Sequence, residues 1–179
     1  MTGWSRRCLI DAVRNQTVIL GLDPGLEGGI AILPGPILIR MPVEEIRSGK
    51  RLRHKILLGE FLRILDRYPV GLVVLETGGP RPKEGIVSAY TSGTNWGLLR
   101  GILAGRDLGV LEVAPTVWRR ALCGHLETAK DKQTRKAQAI RRAQELYPRA
   151  NLRPKPCRTD QSGLADALLL AHYGKGTLT

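Results

Sequence analysis

The sequence predicts an α/β domain built on a mixed five-stranded sheet, three antiparallel strands followed by two parallel ones, flanked by helices. Three observations carry this. Residues 18–22 are an unbroken apolar or small run closed by Asp23-Pro24-Gly25, a buried strand ending in a tight turn. Gly28–Leu33 and Ile37–Met41 follow at hairpin spacing, divided by Pro34-Gly35-Pro36. Helical periodicity then separates the first strand from a second apolar run, Val70–Glu76, which implies parallel pairing through a right-handed crossover.

The elements follow in order. Residues 1–17 read as a basic extension, 18–174 as the domain and 175–179 as a tail. Residues 44–53 are charged and read as a loop. Ile56, Leu57, Phe61, Ile64 and Leu65 recur at helical spacing between His54 and Tyr68, with Pro69 as the stop. His54 is then a surface residue at a helix start. Residues 77–87, rich in glycine, proline and basic groups, form a loop directly after Glu76. The next helix, Ser88–Arg106, carries Gly93, Gly97, Gly101 and Gly105 at every fourth position. Each glycine costs about 1 kcal/mol against alanine inside a helix, so the row needs a packing reason. Close approach to the sheet is the first candidate and a seam between two copies the second.

Gly109–Ala114 is the fifth strand, and a short helix over Val117–Leu122 follows with Thr116 as its cap. Lys130 to Leu146 reads as a basic helix whose Lys130, Lys132, Arg135, Lys136, Arg141 and Arg142 flank an apolar stripe of Ala137, Ile140, Ala143 and Leu146. Residues 149–158 make an irregular basic loop. The last helix runs from Ser162, its expected N-cap, to Tyr173.

At 179 residues the chain is one domain by length. Its formal net charge is +12, which favours a polyanionic partner, and nucleic acid fits better than membrane because no basic segment carries a large apolar face. Cys8, Cys123 and Cys157 form no CxxC pair, which argues against a zinc site or a disulfide framework and for a reducing compartment. No apolar run reaches the roughly 18 residues a membrane span needs, and the start lacks the apolar segment of a signal peptide. A cytoplasmic protein is the expectation.

Chemistry concentrates in the acidic residues. A carboxylate at the end of a buried strand is costly unless compensated, and both Asp23 and Glu76 stand there. Adjacent parallel strands would bring them out about 4.8 Å apart, suited to a hard divalent cation. Asp166 sits among apolar residues early in the last helix, too near the core for an idle charge. Asp160 is a fourth candidate. Six helical residues separate side chains by roughly 120°, so it shares an ion with Asp166 only from the preceding loop. Gln161 and Ser162 are its substitutes.

Ile-Leu-Gly-Leu-Asp-Pro-Gly (19–25), Val-Val-Leu-Glu (73–76), Lys-Ala-Gln-Ala (136–139) and Ala-Asp-Ala-Leu (165–168) together resemble the successive motifs of the RuvC-type Holliday junction resolvases. The segments from Pro80-Arg-Pro-Lys-Glu-Gly to Trp96-Gly-Leu-Leu-Arg-Gly, and the ending Ala-Asp-Ala-Leu-Leu-Leu-Ala-His-Tyr-Gly, are similar to chloroplast-type and phage resolvases. The resemblance implies an RNase H-like fold, a homodimer, and a crossover junction endodeoxyribonuclease that nicks four-way DNA junctions symmetrically.

The same resemblance puts metal-ligand roles on Asp23, Glu76 and Asp166 and a fourth acidic role on Asp160. Two Mg²⁺ ions, replaceable by Mn²⁺, are the implied cofactors. Lys136 matches the active-site lysine, with Lys130 and Lys132 as competitors. The aromatic wedge that bacterial members place after the glutamate is missing from Thr77-Gly-Gly-Pro80, and Ile86 or Tyr90 are the substitutes. Arg81, Lys83, Lys130, Lys132, Arg135, Lys136 and Arg141 are the expected DNA contacts. Other readings are a nuclease for flaps or RNA/DNA hybrids, and a junction-binding protein without cleavage, which the intact acidic set argues against. An actin-like sugar kinase is excluded: the chain is too short for two lobes and lacks a second phosphate loop.

Overall fold

A computed structural model describes residues 18–48, 51–79, 85–124 and 131–177, with the backbone alone at 48 and 51–53. The N-terminal extension, Arg81, Lys83 and Lys130 lie outside the described residues. The elements are β1 (Val18–Asp23), β2 (Gly29–Leu33), β3 (Ile37–Arg40), β4 (Val43–Ser48), β5 (Arg51–Ile56), α1 (Leu58–Arg67), β6 (Val70–Glu76), α2 (Ile86–Gly105), β7 (Val110–Val113), α3 (Pro115–Cys123), α4 (Lys132–Leu146) and α5 (Ser162–Thr177).

The main sheet has the order β3-β2-β1-β6-β7, with β1, β2 and β3 antiparallel and β6 and β7 parallel to β1. Side chains alternate across it. Ile19, Leu72 and Val74 face α3, α4 and α5, where Trp118, Ala139, Ala143 and Leu168 are buried. Leu20, Leu22, Val73 and Leu75 face α1 and α2, against Phe61, Leu65, Leu99 and Leu103. No helix among the described residues is long and apolar enough to cross a membrane.

Helix α5 lies directly on β1 and β2 because small residues line the contact. A Cβ at Gly21 would stand 2.0 Å from the Ala167 carbonyl oxygen, and one at Gly163 would stand 2.1 Å from that of Glu27. Both clashes are with backbone, so the helix could not sit so close with any side chain there. This close approach fixes where α5 delivers Asp166.

Three expectations need correction. The charged segment read as a loop is a second sheet, the β4–β5 hairpin, with Val43 paired to Ile56 and Ser48 to Arg51. His54 is therefore an exposed strand residue opposite Glu45, and α1 begins only at Leu58. The ribbon pairs with itself and has no broad face to bury, so it lacks the apolar alternation by which a strand is recognised. Second, Gly93, Gly97, Gly101 and Gly105 do not touch the sheet: a Cβ at any of them would meet nothing within 4 Å. The packed side of α2 is instead the one carrying Asn95, Leu99 and Leu103.

Third, the two expected caps are displaced. Pro115 occupies the first turn of α3 behind Ala114 as N-cap, and Thr116 lies inside the helix. The Gln161 carbonyl accepts from the Leu164 and Ala165 amides, which makes Ser162 the first helical residue of α5. Helix α4 is capped by Asp131, whose carboxylate accepts from the Thr134 amide at 2.8 Å and the Thr134 hydroxyl at 2.6 Å.

Candidate active site

The parallel register pairs Leu22 with Leu75, so the next residues, Asp23 and Glu76, leave the sheet side by side at its C-terminal edge. Asp23 closes the turn beyond β1 by accepting from the Gly25 amide at 3.1 Å. The turn itself is tight, since a Cβ at Gly28 would stand 2.2 Å from the Asp23 carbonyl oxygen. The first turn of α5 rests on that bend through Gly163, and Asp166 follows three residues later.

Glu76 is held from two helices. Trp118 Nε1 of α3 donates to Glu76 Oε2 at 2.9 Å, and Trp96 Nε1 of α2 donates to the Glu76 carbonyl at 3.1 Å. An indole withdrawn from water needs an acceptor for its one N–H, and Trp118, fully buried, and Trp96, partly buried, both find it at this strand end. Gly78 lets the following loop lie flat on Trp96, whose ring carbons a Cβ there would meet at 3.1 Å.

Asp166 is the most unusual group. Arg119 Nη2 donates to its Oδ2 at 2.8 Å, and the same guanidinium stacks over Trp118 at 4.4 Å from the ring centroid. Asp166 Oδ1 is buried with no hydrogen-bond partner. Its pKa is pushed up to about 7: burial is the main cause, the Asp23 and Glu76 charges add to it, and Arg119 opposes it. The three carboxylates thus act on one another across a single edge.

Among the described residues, no three Asp, Glu, His or Cys side chains are drawn close enough, as they lie, to hold an ion. Glu76 accepts from Trp118 and Asp166 from Arg119. The donor set nevertheless fits a hard divalent cation. It is all oxygen, and the orphaned Asp166 Oδ1 is a buried acceptor still to be satisfied.

Asp160 stands in the loop before α5, where Gln144 Nε2 and Arg153 Nε engage its two oxygens at 3.0 and 3.1 Å. Together with Lys136, Arg40, Glu27 and Gln161 it lines a groove of about 460 Å³ beside the Asp23 turn. Lys136 Nζ lies 3.9 Å from Glu27 Oε2. Lys132 and Arg135 are exposed on α4, and Arg141 is paired with Glu145 at 3.0 Å. Ile86, Val87 and Tyr90 at the start of α2 are 88%, 77% and 75% exposed, an unusual display for large apolar side chains.

Sequence reasoning missed Arg119 and the clamping roles of Trp118 and Trp96. A signal was available for the tryptophans: buried indoles in a chain with few aromatics have to find acceptors, and strand-end carboxylates are natural ones. Arg119 is one of a basic pair, and nothing in its immediate sequence marks it out from Arg120.

The chain is similar in structure to the RuvC protein of Thermus thermophilus. Against that protein in complex with Holliday junction substrate, the TM-score is 0.57 at 16% identity, covering 90% of this chain and 96% of the other. Against a second structure of the same protein it is 0.54 at 20% identity, with the same coverage. The likeness establishes the fold. It is the RNase H-like α/β fold, with the mixed sheet expected from sequence. No protein-family model matches the chain, and no curated protein sequence matches it.

Proposed function

We propose that the chain is a metal-dependent, structure-specific DNA endonuclease that resolves four-way junctions by paired symmetric nicks, acting as a homodimer. The observation that carries the reading is the strand edge at which Asp23 and Glu76 emerge side by side, with Asp166 near enough to feel both charges and one of its oxygens buried without a donor. The RNase H-like fold and the +12 net charge add to it. The similar RuvC structure is a complex with Holliday junction substrate, and a four-way junction is the substrate proposed here. The reading places the protein in a reducing, DNA-containing compartment.

Asp23, Glu76 and Asp166 are the residues that would hold two Mg²⁺ or Mn²⁺ ions, with Asp160 a further acidic ligand from the loop before α5. When bound, the pair supplies Lewis acidity that activates a water and stabilises the departing 3′-oxygen. Arg119 compensates the Asp166 charge, and a guanidinium freed from that bond would be able to meet a phosphate oxygen. Lys136, which shares a groove with Glu27 and Asp160, would offset charge on the scissile phosphate. Trp118 and Trp96 hold Glu76 in place.

The open face of α2 is the proposed dimer seam. Gly93, Gly97 and Gly101 present bare backbone there, and Leu98 is 37% exposed. Two copies joined there give two equivalent sites for two equivalent strands. Ile86 and Tyr90, beside the seam, are the residues proposed to pry at the junction centre.

The test is cleavage of a mobile four-way junction in Mg²⁺ with cut positions mapped on both strands, alongside flaps and RNA/DNA hybrids. Paired, symmetric cuts in the junction are expected, and Asp23→Asn should abolish them while leaving junction binding in Ca²⁺ intact. Cutting confined to hybrids or flaps would replace the junction reading with another nuclease activity. Loss of both binding and cutting in Asp23→Asn would make Asp23 structural.

A further inference from the structure

The β4–β5 ribbon has no part in the site described above, yet it springs from the same edge of the sheet. Arg40 ends β3 in register with Gly29, and Gly29 is in register with Asp23. At about 4.8 Å per strand, the chain leaves the main sheet roughly 10 Å from Asp23. Its root is firmly seated: Met41 and Ile56 are buried at 3% and 1% exposure, and the Leu57 amide donates to the Pro42 carbonyl at 2.9 Å. Beyond that root, Glu45, Ile46, Arg47, His54 and Lys55 are all exposed. Among the described residues the two strands pair only with each other.

Six residues per strand at about 3.4 Å each give an arm roughly 20 Å long. Charge is sorted along it. The acidic residues, Glu44 and Glu45, lie near the root, opposite Lys55 and His54. Further out come Arg47 on one strand and Arg51 and Arg53 on the other, with no acid among the residues 46–55. A ribbon needing only solubility, or protection of its edges from pairing, would be served by mixed charge. A one-signed outer half suits a polyanion, and a two-stranded ribbon has the width of a duplex groove.

We propose that the β4–β5 ribbon is a DNA-gripping arm that lies along a duplex leaving the cleavage site, with the exposed Arg47 and Lys55 among its phosphate contacts. The inference rests on the reading of the protein as a DNA nuclease. It adds a contact surface remote from the carboxylates, so the ribbon should govern affinity and its salt dependence and leave the chemical step alone.

The test compares the wild type with Arg47→Gln/Arg51→Gln/Arg53→Gln/Lys55→Gln in salt titrations of binding to a four-way junction and to a plain duplex, in Ca²⁺. Each lost phosphate contact lowers the slope of log K against log salt by about 0.9, so a fall of about 2 to 4 is expected. Cleavage at saturating protein should be unchanged. Arg47→Gln and Lys55→Gln singly, each lowering the slope by about 1, keep the question answerable if the fourfold variant fails to fold. An unchanged slope in folded variants overturns the proposal and leaves the ribbon to a partner other than DNA. The two readings fail separately. A wild type that cuts junctions with ribbon-independent binding sinks the arm alone. A wild type that binds only duplex, through the ribbon, sinks the junction reading alone.

Discussion

Replacing Asp166 by asparagine should stabilise the metal-free protein while removing its response to divalent cations. The side chain is 15% exposed, one of its oxygens has no donor, and Asp23 and Glu76 press their charge upon it. Its pKa rises from the ordinary 3.8 to about 7. Folding therefore binds a proton at Asp166 between those values, and wild-type stability is lost as pH climbs from about 4 to about 7. One pH unit corresponds to about 1.4 kcal/mol, so the ionised form costs on the order of 4 kcal/mol above pH 7. Asparagine removes that cost, and the value of about 7 already contains the opposing pull of Arg119. The net gain at pH 8 is then on the order of 4 kcal/mol, or roughly 8–16 °C in Tm for a chain of this size.

The assay is thermal unfolding in EDTA from pH 5 to 8, repeated with Mg²⁺. The advantage of Asp166→Asn should be small at pH 5, grow to about pH 7 and stay level beyond. Added Mg²⁺ should raise the wild-type Tm and leave that of the variant nearly where it was. A variant less stable than wild type at pH 8, or an advantage that ignores pH, would refute the account of Asp166 as an under-compensated buried charge.

Arg119→Ala should cost the metal-free protein about 2–4 kcal/mol at pH 8 and much less at pH 5, where Asp166 is protonated, with Mg²⁺ recovering part of the loss; melts at both pH values decide it. Gly97→Arg should give a helical, folded monomer by circular dichroism and sedimentation, because an added side chain at 97 meets nothing within its own chain. An unchanged mass in solution would refute α2 as the proposed dimer seam. Gly21→Ala should lose at least about 3 kcal/mol in urea unfolding, since the new Cβ collides with the backbone of α5 at 2.0 and 2.5 Å; full stability there would mean α5 is free to shift.

Much of the sheet could be read directly because its strands are apolar runs punctuated by glycine and proline. The order of those runs, with one helix between β1 and β6, already demanded that Asp23 and Glu76 emerge together. The β4–β5 ribbon escaped such reading because a self-paired, solvent-facing hairpin carries no burial pattern. The glycine row on α2 was visible as a row, but spacing marks only a bare face. The fold alone reveals that this face looks outward.

The local order of residues by itself determined the strand-end carboxylates, the crossover and the acidic residue near the start of the last helix, since each follows from turn chemistry and hydrophobic period over a few positions. Tertiary structure decided what those carboxylates touch. Arg119 reaches Asp166 across 47 positions of chain and Trp118 reaches Glu76 across 42. Such partners meet only because Gly21 and Gly163 allow α5 to lie on the sheet while α3 closes beside it. Distances between remote residues are set by packing, and packing is a property of the whole chain.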